Sequence, residues 1–172
     1  MNLENKTFIT HLENEVVFLR QTVEEDFDEL YNQGGIKEIW EQHSNIDRYK
    51  KNKFWEYFNG GLNNDLGCFT LISKKENRIV GWSRFYNYNK NELSIRIGYT
   101  FIGKGYWGTN INYNTKKLML DYVFTFLEVI YFDVYEKNIR SQKSILKLGC
   151  FLSKINGTTH EYILTKTNWL DE

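Results

Sequence analysis

"LSIRIGYTFIGKGYWGTNINYNTKKLMLDYVFTFL", residues 93–127, decides how this chain is read. Its first part, 93–102, alternates like a half-buried strand, and its last part, 115–127, carries apolar residues at helical spacing. Between them, "GKGYWG" (103–108) places three glycines in six residues, in a chain of 172 residues with no proline. A glycine-rich turn from a strand into a helix gathers backbone N–H groups where they can surround a phosphate. Glycine also serves any tight loop that needs positive φ. Spacing alone leaves both readings open.

Working outward, "VVFLRQT" (16–22) reads as a first strand. "EEDFDELYNQG" (24–34) follows as a helix with acidic residues in its first turn, closed by Gly34-Gly35. "IKEIWEQH" (36–43) and "DRYKKNKFWEYFNGG" (47–61) read as a helical pair closed by Gly60-Gly61. Residues 67–89 split into two strands around "KKEN" (74–77). After the strand at 93–102, a long helix is expected over 109–127, a strand over 129–138 and a short helix over 139–149. Two strands at about 150–155 and 160–168 finish the chain. The order β, α, α, β, β, β, α, β, α, β, β predicts one α/β domain over 1–172. Its centre is a mixed, twisted sheet of about seven strands flanked by helices.

Bulk properties narrow the class. With 41% hydrophobic and 17% aromatic residues the chain has material for a core. Lys and Arg total 22 and Asp and Glu total 22, so no broad nucleic-acid or anionic-membrane surface is expected. The longest apolar run, 118–132, is broken by Asp121 and Glu128 and does not read as membrane-spanning. "MNLENKTFITHLENE" has no signal-peptide apolar stretch. Cys68 and Cys150 lie in apolar surroundings and read as buried thiols in a reducing compartment. These points predict a cytoplasmic protein, and no metal is expected.

Four pieces in order carry a family resemblance: "WEQHSNIDRYK" (40–50), "GWSRFYNYN" (81–89), "IGYTFIGKGYWGTNIN" (97–112) and "NIRSQKSILKLG" (138–149). They resemble the GNAT N-acetyltransferases, and within them the ribosomal-protein N-acetyltransferase-like (RimJ/RimL-type) branch. The likeness runs from about 13 to 155. It implies an acetyl-CoA-dependent N-acetyltransferase in which a primary amine, on a protein N-terminus or a small molecule, attacks the thioester directly in a ternary complex. The strands 93–102 and 129–137 would splay apart, and the pantetheine arm would bond the exposed backbone of Tyr99, Phe101 and Ile102. The pyrophosphate would sit on the loop formed by Lys104, Gly105, Tyr106, Trp107, Gly108, Thr109 and Asn110.

The loop departs from the family pattern of Gln or Arg, two residues, glycine, one residue, glycine or alanine. Gly108 matches the central glycine; Gly105 stands where Gln or Arg is usual, and Asn110 replaces the last small residue. Asn tolerates the left-handed region or caps a helix, and Lys104 becomes the nearest cation for a phosphate.

The resemblance also assigns roles to single residues. Asn138 would meet the pantetheine, or serve only as a helix cap. Ser141 would meet the cofactor sulfur and assist departure of the thiolate, since the family's usual tyrosine acid position is Ile145 here. A serine that bonds its own helix backbone is the plainer reading. The usual glutamate on the strand 93–102 is missing, which leaves His43 and Glu41 as candidate bases. His43 beside Trp40 reads equally as a packed residue, and His11 and His160 as structural. Trp40, Arg48, Arg84 and Tyr86 would line the acceptor side, where Arg48 or Arg84 would hold a carboxylate or phosphate; each arginine reads equally as an internal ion-pair partner, Arg84 on its strand the more so. A homodimer is usual among relatives. The alternative to an enzyme is a GNAT-fold acyl-CoA-binding or sensor protein without turnover, or a dimerisation module with a vestigial groove.

Overall fold

The alternating pattern at 94–102 builds the strand on which the sheet turns from antiparallel to parallel. The computed structural model describes residues 11–170. The sheet has eight strands, β1 (His11–Glu13), β2 (Val17–Gln21), β3 (Cys68–Ser73), β4 (Arg78–Asn89), β5 (Ser94–Ile102), β6 (Val129–Tyr135), β7 (Phe151–Asn156) and β8 (Thr159–Thr165). Their spatial order is β1-β2-β3-β4-β5-β6-β8-β7. Every pair is antiparallel except β5 with β6. The expected sheet of about seven strands therefore gains β1, three residues too short to show an alternation of their own.

The helices are α1 (Phe27–Gly34), α2 (Lys37–Trp40), α3 (Lys51–Leu62), α4 (Ile111–Val123), α5 (Ile139–Leu146) and α6 (Lys166–Leu170). Alternate side chains of the central strands divide between two cores, as the strand period requires. Val80, Phe85, Ile95 and Ile97 join Met119, Leu120 and Val123 of α4 in one cluster. Ile79, Trp82 and Phe101 join Leu30, Trp40, Phe54 and Phe58 in the other, under α1 to α3. The aromatic run 54–58 is thus mostly core, with Trp55 at its surface. Cys68 and Cys150 are buried thiols, and burial pushes the Cys68 thiol up to about 12.

The expected helical pair at 36–43 and 47–61 is corrected in two ways. The first member is the single turn α2, followed by a 3-10 turn at Ile46–Tyr49. The second, α3, runs through both glycines to Leu62. Gly61 is there for packing: a Cβ built on it would lie 2.1 Å from two carbons of the Trp82 ring. Gly61→Ala is expected to destabilise the fold by about 3 kcal/mol through overpacking, lowering the melting temperature by roughly 6–12 °C. A Cβ on Gly60 meets only the Arg84 Nη1 at 3.8 Å, so Gly60→Ala is the control and should not destabilise. The helix α4 is also shorter than expected, ending at Val123.

Candidate functional site

A parallel pair of strands that separates leaves backbone without a partner, and β5 and β6 do this. They pair only at Ser94↔Val129, Ile95↔Ile130 and Arg96↔Tyr131. From there β5 continues to Ile102 and β6 to Tyr135, so the expected splay is present. On its other side β5 bulges against β4: Arg84 pairs with Gly98 and Trp82 with Phe101, so Tyr99 and Thr100 together face Ser83. Tyr99 sits at φ +51, the left-handed region that a bulky residue rarely adopts. Such strain persists only when surrounding contacts impose it. Here the Tyr57 hydroxyl donates to the Tyr99 carbonyl, and the Arg84 guanidinium lies 3.4 Å from the centre of the Tyr99 ring.

Lys116 of α4 reaches the same bulge from the opposite face. Its ammonium donates to the hydroxyls of Thr100 and Ser83, which also bond each other at 2.8 Å, and it lies 5.8 Å from the Phe132 ring on β6. The residue is 5% exposed, and burial brings its pKa down to about 7. Sequence reasoning missed Lys116. The signal was its place at helical spacing from Met119, Leu120 and Val123 on the apolar face of α4.

The glycine-rich turn is a 3-10 turn, Lys104–Tyr106, leading into α4. A Cβ on Gly105 or Gly108 would meet nothing within 4 Å. Gly108 needs glycine for its φ of +76, whereas the chain itself makes no such demand at Gly105. The space above both is open, which suits close approach of an anionic group to backbone. Gly103 differs, because a Cβ there would strike the Gln33 side chain at 2.2 Å. Thr109, exposed, uses its hydroxyl to bond the Tyr106 carbonyl at 2.6 Å and to accept from Ile111 N–H at 3.4 Å. The expected capping by Asn110 does not occur: its side chain makes no cap hydrogen bond, at φ −82 and ψ 2.

Several predicted cofactor contacts are engaged within the chain. Lys104 is no free cation, since it pairs with Glu38 at 2.7 Å and holds that carboxyl below its ordinary value. This pair is half-exposed and therefore weak. Tyr106 donates to Glu76 at 2.7 Å. The Trp107 indole donates to the Ile102 carbonyl at 3.0 Å, so the Tyr99 and Ile102 carbonyls both have partners, and the Phe101 side chain is core. Arg140, absent from the sequence reading, lies 4.1 Å from the Trp107 ring. It also donates to the Glu38 and Ile39 carbonyls, tying α5 to α2 and to the turn. Asn138 caps α5 by accepting from Ser141 N–H at 3.2 Å. The half-buried Ser141 hydroxyl has no hydrogen-bond partner among the described residues.

The second half of the site is a cleft of about 490 Å³ lined by residues including Arg48, Tyr57, Gly60, Arg84 and Tyr99. It brings together Arg48 and Arg84 but not Trp40 or Tyr86. Trp40 is fully buried, with its indole donating to the Gly34 carbonyl. It serves as a shelf for the Arg48 guanidinium, 5.4 Å from its ring. Tyr86 donates to Asp133 across the splay at 2.9 Å; burial, and then that carboxylate, raise its phenol pKa. Arg84 has no carboxylate partner among the described residues, which corrects the ion-pair reading; its Nη1 donates to the Gly60 carbonyl at 2.6 Å. His43 packs 5.0 Å from Trp40. Burial first, then the charges of Arg48 and Arg140, push its imidazole down to about 4. Glu41 is exposed.

A family profile described as an acetyltransferase (GNAT) domain matches residues 17–150. The chain belongs to the GNAT acetyltransferase family. No curated relative matches the sequence. Solved GNAT structures share the fold at low identity. A GCN5-related N-acetyltransferase from Brucella melitensis superposes with a TM-score of 0.82 at 15% identity, over 93% of this chain and 80% of the other. A GNAT-family acetyltransferase from Bacillus anthracis gives 0.76 at 15%, over 91% and 99%. A spermidine N-acetyltransferase from Vibrio cholerae, solved with CoA and spermine, gives 0.69 at 17%, over 91% and 99%. Family membership makes acetyl-CoA the expected co-substrate, and the open turn at Gly105 and Gly108 and the splay fit its phosphates and arm. Among the described residues no group of side chains could hold a metal ion, and no helix is long and apolar enough to cross a membrane.

Proposed function

We propose that this GNAT protein is an acetyl-CoA-dependent N-acetyltransferase of the RimJ/RimL type that acetylates a primary amine. The observation that carries the reading is the splay of β5 from β6 beside the open glycine turn, with the strained Tyr99 bulge at the junction. The pyrophosphate lies on the turn at Gly105, Gly108 and Asn110, where the start of α4 adds its positive end. The pantetheine arm takes the place of a strand along the splayed edge of β5. The thioester then reaches the bulge at Tyr99, where backbone N–H groups stabilise the developing oxyanion.

The amine enters from the cleft, loses a proton and forms a bond to the acetyl carbonyl carbon. The carbon–sulfur bond breaks, the amide is released, and the CoA thiolate takes up a proton. We assign that last transfer to Ser141, whose hydroxyl, at the start of α5, has no hydrogen-bond partner among the described residues. Neither His43 nor Glu41 borders the cleft. An imidazole held near pH 4 is moreover too acidic, once protonated, to keep a proton from an amine. We therefore assign the amine proton to water in the cleft. The edge strand β7, which exposes Phe151, Leu152 and Ile155, is the sheet edge we assign to a homodimer.

Release of CoA thiol tests the reading. Ser141→Ala should lower kcat by on the order of 10²-fold while leaving the stabilisation of the protein by acetyl-CoA unchanged. Stabilisation by acetyl-CoA with no thiol release from any amine would instead identify an acyl-CoA-binding sensor, a reading favoured by the lack of a carboxylate base at the bulge.

A further inference from the structure

Two guanidinium groups face one cleft, and among the described residues no carboxylate pairs with either of them. Arg84 is 8% exposed. One nitrogen is held by the Gly60 carbonyl, and the buried Nε has no hydrogen-bond partner. Arg48 is half-buried between aromatic faces, 4.6 Å from the Tyr57 ring and 5.4 Å from the Trp40 ring. No hydrogen bond or carboxylate engages its guanidinium among the described residues. Burial, then attraction to Tyr57 and Tyr99 set against repulsion by Arg84, leaves its pKa below the ordinary arginine value. The cleft's two carboxylates, Asp47 and Glu56, are exposed at its rim and already paired, with Lys50 at 2.9 Å and Lys53 at 2.8 Å.

Unpaired buried charges of like sign are costly, and a fold keeps them where a ligand completes them. The planar fork of arginine suits the two oxygens of a carboxylate or phosphate. The aromatic shelves fix both guanidiniums in place before the ligand arrives. The Tyr57 hydroxyl is already committed to the Tyr99 carbonyl, so the specificity of the cleft rests on charge.

We propose that the acceptor is an anionic primary amine, whose carboxylate or phosphate is clamped between Arg48 and Arg84 while its amine points to the Tyr99 bulge. This rests on the acetyltransferase reading and adds a substrate class to it. A polyamine, cationic along its length, is repelled by the same pair.

The test compares amines that differ in one anionic group: glycine with glycinamide, and glucosamine 6-phosphate with glucosamine, with spermidine as the polycation. Initial rates of CoA thiol release are measured with the wild-type protein and with Arg48→Gln. The favoured anionic amine should exceed its neutral partner by about 10- to 100-fold in kcat/KM, and Arg48→Gln should erase most of that ratio. Which pair shows the preference distinguishes carboxylate from phosphate. Equal rates within both pairs, or preference for spermidine, overturn the proposal. If no amine in the panel turns over, inorganic phosphate is the probe. Millimolar phosphate should raise the melting temperature of the wild-type protein but not of Arg48→Gln, and an equal effect on both overturns the proposal. Loss of acetyl-CoA binding would overturn the transferase reading itself, a result read separately by thermal shift with acetyl-CoA alone.

Discussion

Lys116→Met is expected to make the protein more stable, most of all in acid. The lysine is buried against the hydroxyls of Ser83 and Thr100 with no carboxylate beside it among the described residues. Burial lowers its pKa from 10.5 to about 7. Between about pH 7 and 10.5 the unfolded chain therefore holds one more proton than the folded one, and stability climbs with pH. Below pH 7 both states hold the proton and the whole penalty of the buried charge stands. Methionine of similar length removes it, and Ser83 and Thr100 keep each other as partners at 2.8 Å. The gain reaches up to about 5 kcal/mol at pH 6, or roughly 10–20 °C in melting temperature, and it fades to nothing above pH 10.5. Melting curves of both proteins at pH 6 and pH 10 check this; a less stable variant at pH 6 contradicts it. The same lysine fastens the Tyr99 bulge from the α4 side through Thr100. The variant should accordingly transfer acetyl groups more slowly while melting later.

Gly105→Asp is expected to abolish acetyl-CoA binding and leave the unliganded fold unchanged. A Cβ at Gly105 meets nothing within 4 Å, and the residue does not occupy the left-handed region. Gly103, whose Cβ would strike Gln33, allows no such clean substitution. The carboxylate would stand in the open space assigned to the pyrophosphate and repel it at short range. Calorimetric titration should show acetyl-CoA affinity reduced at least 100-fold, with the melting temperature of the free protein within about 2 °C of wild type. Undiminished affinity would move the phosphate site elsewhere.

The part of the fold that was legible in the sequence is local. Alternation in 93–102, glycines at 103–108 and helical spacing over 115–127 are each written within a few residues, and the strand-turn-helix followed. The features that escaped are made by distant partners. Gly60-Gly61 read as a helix end because glycine often stands there, whereas Gly61 exists to admit the Trp82 ring from β4. The resemblance puts Trp40 at the acceptor side, but its indole is spent on the Gly34 carbonyl in the core. Lys116 and Lys117 are adjacent in sequence, yet one is buried beneath the bulge while the other pairs with Asp121 on the surface at 2.6 Å. Only the apolar stripe of α4 separates them. Arg140 left no trace, because its partners lie about a hundred residues earlier, in α2. Arg48 and Arg84 line one cleft without a carboxylate partner among the described residues, which the sequence could not show, since an ion-pair partner cannot be counted before the fold brings candidates together.

The central claim is that the splay and the glycine turn bind acetyl-CoA, and the melting temperature measured with and without it tests this most directly. A ligand that binds only the folded state stabilises it by RT ln(1 + [L]/Kd), about 2.7 kcal/mol at a hundredfold excess over Kd. For a chain of this size that is a rise of roughly 5–11 °C. The account predicts that rise for the wild-type protein and its disappearance in Gly105→Asp. An unchanged melting temperature of the wild-type protein at millimolar acetyl-CoA would contradict the account and leave a GNAT fold whose groove serves no acetyl transfer.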